Sequence, residues 1–78
     1  MRTGISQLRL DAGYTSAKSA AKALKISEIH LAKIESGASG AGEDLEHRMA
    51  KLYGTTVSKV VREIKQARLA YHGRMLSS

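Results

Sequence analysis

Residues 16–37 read SAKSAAKALKISEIHLAKIESG, and this stretch decides the fold. Ser16 is a good N-cap for a helix over residues 17–24, where four alanines favour helix and add little bulk. A three-residue turn follows, and its last residue, Ser27, is the N-cap of a second helix that ends near Glu35. Two short helices joined by a tight turn have the spacing of a helix-turn-helix unit.

Three further helices are predicted around this unit. The first helix has Thr3 as its N-cap, and the fourth covers about residues 43–53. The last covers about residues 57–72 and keeps its apolar side chains on one face over four turns. The sequence therefore predicts an all-α fold of five helices in a single domain over residues 1–72, followed by a flexible tail at residues 73–78.

Composition narrows the classes of function. The 78 residues include 13 Lys and Arg against 7 Asp and Glu, a net charge of +6 that favours polyanionic partners such as nucleic acid. The absence of cysteine excludes a disulfide scaffold, a thiolate zinc site and a cysteine nucleophile. No apolar run reaches the ~20 residues of a membrane helix and no signal peptide is recognisable, so we expect a cytoplasmic protein without a membrane partner.

Catalytic and metal-binding chemistry is not expected. Glu43 and His47 lie one helical turn apart, but no third ligand converges on them in the sequence. The glycine-rich segment 37–42, GASGAG, lacks the following Lys and Ser or Thr of a P-loop, and no Ser, His and Asp arrangement can be argued. We therefore expect no enzyme, no cofactor and no metal.

Several segments between Ile5 and Val60 follow one known pattern. They are ISQLR, Gly13-Tyr14, SAKSAAKALKIS, HLAKIESG, Met49-Ala50-Lys51 and Gly54 before the last helix. Together they resemble the phage-repressor/Cro-type helix-turn-helix domain, the XRE family. The resemblance implies a compact, lambda-repressor-like fold whose third helix, about residues 28–35, enters the major groove of double-stranded DNA. It also implies a sequence-specific, repressor-like regulator of transcription from a bacterium or phage.

Ten residues of the helix-turn-helix unit are candidate DNA contacts. The positions that contact base edges in this family are occupied by Glu28, Ile29 and Lys33, with His30 beside them. The positions that meet phosphate are occupied by Ser16, Ala17 and Ser27. Three lysines near one face or end of the second helix are further phosphate candidates or, alternatively, part of a solvated surface: Lys18, Lys22 and Lys25.

Arg9 and Glu35 match an internal salt bridge of the family, so we assign both to structure rather than to DNA. Two departures from the family pattern bear on affinity. Ala17 stands where the family usually has Gln, which removes a side-chain contact, and Lys25 stands where it usually has Gly in a left-handed turn. Both departures favour a modest DNA affinity or a protein partner on this surface.

The last helix leaves two interpretations open. Its apolar residues Val61, Ile64, Ala67 and Tyr71 either complete the core or contact a second copy or another protein. A homodimer would place two helix-turn-helix units on half-sites ~34 Å apart. The alternative function is a protein-interaction module that modulates a repressor or acts as an antitoxin, docking through the helix-turn-helix fold or through this helix.

Overall fold

The computed structural model describes residues 4–77, apart from the side chain of Ser77, as five α-helices without a β-strand. The helices are α1 (Gly4–Asp11), α2 (Ala17–Leu24), α3 (Glu28–Ser36), α4 (Glu43–Tyr53) and α5 (Val57–Ser77). The chain measures 34 × 24 × 21 Å and has a radius of gyration of 11.7 Å, which is compact. The predicted all-α class with five helices is confirmed, whereas the N-cap predicted at Thr3 lies outside the described residues.

Serine caps begin α2 and α3 where the sequence predicts them. The Ser16 hydroxyl accepts a hydrogen bond from the Ser19 N–H at 3.2 Å, and the Ser27 hydroxyl accepts one from the His30 N–H at 3.0 Å. Each bond satisfies a backbone donor that the helix itself leaves unpaired. Between the two helices Lys25 has a φ of +62°, the only positive φ of a non-glycine residue within the described range. The predicted left-handed turn at Lys25 is therefore present.

The core consists of aliphatic side chains from all five helices. Its six largest fully buried members are Ile5, Leu24, Leu31, Ile34, Met49 and Val60. Ala20 and Ala21 are also buried, and their small side chains allow α2 to lie close to its neighbours. Tyr53 belongs to the core, and the ring of Tyr14 packs 6.3 Å from it between centroids. Because the chain has no Phe or Trp, the core depends on close packing of small and medium side chains.

The helix α5 is longer than predicted, because it continues through Gly73 to Ser77 instead of ending near residue 72. Glycine weakens a helix by about 1 kcal/mol but does not stop it. Here a tertiary contact supports the extra turn. Arg74 donates from Nη2 to the Ser36 carbonyl at 3.2 Å, and its guanidinium carbon lies 5.9 Å from the centre of the Tyr71 ring. Despite the length of α5, no helix of residues 4–77 is sufficiently long and apolar to span a membrane.

Burial separates the two interpretations of α5. Ile64 and Ala67 are each only 4% exposed and lie in the protein's own core, so the prediction that they form a dimer or partner contact is wrong. Val61 remains 41% exposed, and Tyr71 is half-buried. The helical spacing of apolar residues predicts one apolar face of α5, and the other helices of the same chain cover most of that face.

Gly37 brings the end of α3 against α5. It has a φ of +92°, and its N–H donates to the carbonyls of Lys33 and Ile34 at 3.1 and 3.2 Å. A Cβ at this position would overlap the backbone carbonyl group of Ala67 and lie 2.8 Å from the Cβ of Tyr71. Only glycine therefore fits both the backbone conformation and the approach of the two helices.

We predict that Gly37→Ala destabilises the fold by about 3 kcal/mol and Gly13→Ala by only about 1 kcal/mol, measured by urea unfolding. Gly13 is the matched control because its φ is +95° but nothing lies within 4 Å of an added Cβ. Both variants carry the strain of a left-handed Cβ, and only Gly37→Ala also forces α3 away from α5. Equal losses in the two variants would contradict the close contact.

Candidate nucleic-acid interface

The two faces of α3 differ sharply. Leu31 and Ile34 are fully buried and hold the helix to the core, while Ile29 on the other side is 72% exposed. The residues of the outward face are Glu28, Ile29, Ala32, Lys33 and Ser36, all of which are exposed. They follow helical spacing, so they lie together on one surface of about two turns. An exposed isoleucine on a helix that needs only its inner face for stability is available for a ligand.

A buried ion pair fixes the last turn of α3. Arg9 Nε donates to Glu35 Oε2 at 2.8 Å, and both side chains are only 11% exposed. Glu35 also accepts from the Ser6 hydroxyl at 2.9 Å, and Arg9 Nη1 donates to the Tyr14 carbonyl at 2.6 Å. The structural pairing predicted for Arg9 and Glu35 is thus present, and it joins α1 to α3 at the end away from the Ser27 cap.

The candidate base contacts occupy three different environments. Glu28, Ile29 and Lys33 are exposed and share the outward face of α3. His30 lies at the flank of that face and is half-buried. Ala32 was missed by the sequence analysis although it lies between Glu28, Ile29 and Lys33 on the same face. The helical spacing alone would have identified it, since it follows Glu28 by four residues and Ile29 by three.

The candidate phosphate contacts are also divided. Lys18 and Lys22 lie one turn apart on the exposed side of α2, and Lys25 is exposed at the end of that helix. The exposed hydroxyls of Ser16 and Ser27 already accept backbone N–H bonds as N-caps. Ala17 is half-buried and packs against the core, so only its backbone can contribute a phosphate contact.

The exposed charge on α2, the turn and α3 is strongly basic. Over residues 16–36 four exposed lysines stand against one exposed acid, Glu28, because the other acid, Glu35, is neutralised by Arg9. The acidic residues of the chain are concentrated instead in the first turn of α4, at Glu43, Asp44 and Glu46. A surface with this charge attracts a polyanion, and physiological salt screens the attraction except at short distances.

Metal-binding groups do not converge within residues 4–77. No set of three or more His, Asp or Glu side chains in this range is arranged to hold a metal ion. The ring of His47 is directed to its own helix, where Nδ1 lies 2.8 Å from the Glu43 carbonyl oxygen. The spacing of Glu43 and His47 is therefore accounted for by a local helix contact.

The hydroxyl of Tyr53, a residue of α4, is buried without a hydrogen-bond partner among the described residues. Burial, and to a lesser degree the nearby negative charge of Glu35, raises the pKa of Tyr53 to about 12. The phenol therefore stays neutral in the folded chain at a pH where an unfolded chain ionises it. No feature of the sequence indicated this hydroxyl, because its isolation depends on tertiary packing.

Comparisons with protein-family models, with curated proteins and with solved structures found no match to this chain. The likeness to the phage-repressor helix-turn-helix domain consequently stays a resemblance of the segments quoted above. What the structure adds is a short α2, a tight turn and an α3 with one buried and one exposed face.

We predict that Tyr53→Phe changes the alkaline stability of the protein. Between about pH 10 and 12 the unfolded wild-type chain releases the Tyr53 proton while the folded chain keeps it, so stability falls by about 1.4 kcal/mol per pH unit. The Phe variant lacks this loss. Below pH 10 it is as stable as the wild type or more stable, since the hydroxyl it removes has no partner. Urea unfolding across this pH range checks both statements, and parallel curves for the two proteins would contradict them.

Proposed function

We propose that this protein binds double-stranded DNA in a sequence-specific manner and regulates transcription, as a repressor-like protein of a bacterium or phage. In this proposal the five helices form a lambda-repressor-like domain, with α2 and α3 as the helix-turn-helix unit and α3 in the major groove. The observation that carries the proposal is the outward face of α3, where exposed Ile29 lies beside Lys33 and opposite a fully buried inner face. Such a regulator acts in the cytoplasm.

The proposed base contacts follow from the chemistry of the outward face. Lys33 donates to the O6 and N7 acceptors of guanine or to a phosphate, and Ile29 contacts the methyl group of thymine. Glu28 is repelled by phosphate but accepts a hydrogen bond from the N4 amino group of cytosine. His30, at the half-buried flank, tunes the choice of base, and the small Ala32 allows close approach to the groove floor.

The proposed phosphate contacts position the helix without selecting a sequence. Lys18 and Lys22 on α2 and Lys25 in the turn supply the positive charges, and all three are exposed. The N-terminus of α2, with the backbone of Ala17, supplies N–H groups and the positive end of a helix dipole. Each phosphate neutralised in this way releases a counterion, so binding weakens as salt rises.

We predict tight, competitor-resistant binding to the DNA that flanks the protein's own gene, measured by fluorescence anisotropy across a salt series. The logarithm of the affinity falls by about 0.9 per contacted phosphate for each tenfold rise in salt. Lys33→Ala weakens binding to that DNA about tenfold, as expected for loss of one charged base contact. Lys65→Ala, which removes the same charge from α5, is the control and changes affinity less than about twofold.

The variant Lys22→Ala distinguishes the effect of losing a phosphate contact from that of losing a base contact. This variant weakens binding equally for specific and unrelated DNA and lowers the salt slope by about 0.9, whereas Lys33→Ala reduces the preference for the specific site. Binding that is weak and independent of sequence in the wild type, or equal losses in Lys33→Ala and Lys65→Ala, would contradict the proposal.

A second function, docking of a protein partner, is favoured by the exposed side of α5. Leu69 and Leu76 are 58% and 75% exposed there, and Val61 continues the same side. A protein that modulates a larger repressor, or an antitoxin, would use such a surface. A homodimer would use it as well, but without the buried Ile64 and Ala67.

A further inference from the structure

A second candidate binding surface lies along α5, next to the side of this helix that is buried against Gly37, and the buried Ile64 is among its lining residues. An open groove of about 600 Å³ runs between the segment 37–41, α4 and α5. The groove is defined by Ala38, Gly40 and Ala41 on one wall and by Val61, Lys65 and Leu69 on the other. None of the DNA contacts proposed above lines it, so it is distinct from the outward face of α3.

Small residues keep this groove open. The segment Gly37–Gly42 reads GASGAG and offers no side chain larger than that of Ser39 to fill the space beside α5. At Gly40 an added Cβ would lie 3.4 Å from the end of the Arg68 side chain, so even a methyl group there enters the groove. A loop that is fixed at one end by Gly37 and carries only small side chains leaves α5 uncovered.

The exposed side of α5 extends the groove into a long stripe. Val61, Lys65, Leu69, His72 and Leu76 follow one another at intervals of three or four residues and therefore share one side of the helix. The fifteen steps of helix from Val61 to Leu76 span about 22 Å. Apolar and basic side chains alternate along this length. A stripe of this shape fits an extended helical partner better than a small molecule.

Charge decides which helix fits. Lys65 and Arg68 line the groove without an ion-pair partner among the described residues, against the single acid Glu46 on the other wall. The whole of α5 carries five Lys and Arg and one acid, Glu63. Two copies of this helix packed together would place like charges opposite each other, which is destabilising. An acidic helix removes that repulsion and neutralises the basic residues.

We propose that this groove binds an acidic amphipathic helix of a partner protein. The apolar residues of the partner helix pack against Val61 and Leu69 and enter the space over the Gly-rich segment. Its carboxylates pair with Lys65 and Arg68 at the edges. This mode of recognition is a helix laid in a groove, with apolar contacts for affinity and charged contacts for choice of partner. It rests on the second proposed function, docking of a protein partner on α5, and requires no DNA binding by α3.

The test uses the full chain and three fluorescent 18-residue peptides. The first has Leu at intervals of three and four with Glu elsewhere, the second has the same composition in scrambled order, and the third has Lys in place of Glu. We expect the first to bind about tenfold more tightly than the other two, by fluorescence anisotropy. The amide signals of residues 38–41 and 61–69 should shift in NMR spectra of the complex.

Leu69→Glu should weaken binding of the acidic peptide about tenfold. Ala70→Glu is the matched control, since it adds the same charge to an exposed position of α5 that does not line the groove and is not three or four residues from any member of the stripe, and it should change affinity less than about twofold. Both positions are exposed, so neither substitution disturbs the core, and unfolding curves check this. Equal binding of the three peptides, no binding, or self-association that Leu69→Glu abolishes would each overturn the proposal, the last by assigning the groove to a second copy.

Discussion

The buried ion pair between Arg9 and Glu35 is the interaction on which the candidate site depends. It fixes the last turn of α3 to α1 at 2.8 Å, and Ser6 and the Tyr14 carbonyl complete its hydrogen bonds. Loss of one partner would leave an uncompensated buried charge, a cost of about 3–5 kcal/mol. Because Glu35 holds α3 from its inner side, the opposite face needs no packing of its own.

The residues that pack α2 and α3 into the fold are different from the exposed residues of the candidate site. The small residues of α2 allow it to lie close to the core, and the buried face of α3 together with Gly37 secures that helix against α5. Lysines occupy the exposed side of α2 and the turn, while the acids of the first turn of α4 lie outside the segment formed by α2, the turn and α3. The groove beside α5 has a related cause. The glycine-rich segment that allows α3 to approach α5 carries only small side chains, so it leaves the rest of α5 uncovered.

Local signals predicted most of the fold. The Ser16 cap predicted the start of α2, the apolar pattern predicted the bounds of α4, and a Gly or Lys in left-handed conformation ends the first four helices. Tertiary contacts explain what was missed. The last turn of α5 depends on Arg74 reaching Ser36, and the burial of Ile64 depends on helices distant in sequence. Periodicity identifies an apolar face but not what covers it. The Arg9–Glu35 pair was found through family resemblance, whereas the isolated Tyr53 hydroxyl had no signal, and the DNA contacts stay predictions.

In the proposed function the outward face of α3 contacts DNA. The most direct measurement is to follow backbone amide shifts by NMR while the labelled protein is titrated with a duplex from the region that flanks its own gene. If α3 enters the major groove, the largest changes fall in residues 16–36, at the caps and on the exposed side of α3, with little change at residues 38–41. Changes confined to α5 and residues 38–41, or no saturable change at moderate salt, would contradict it.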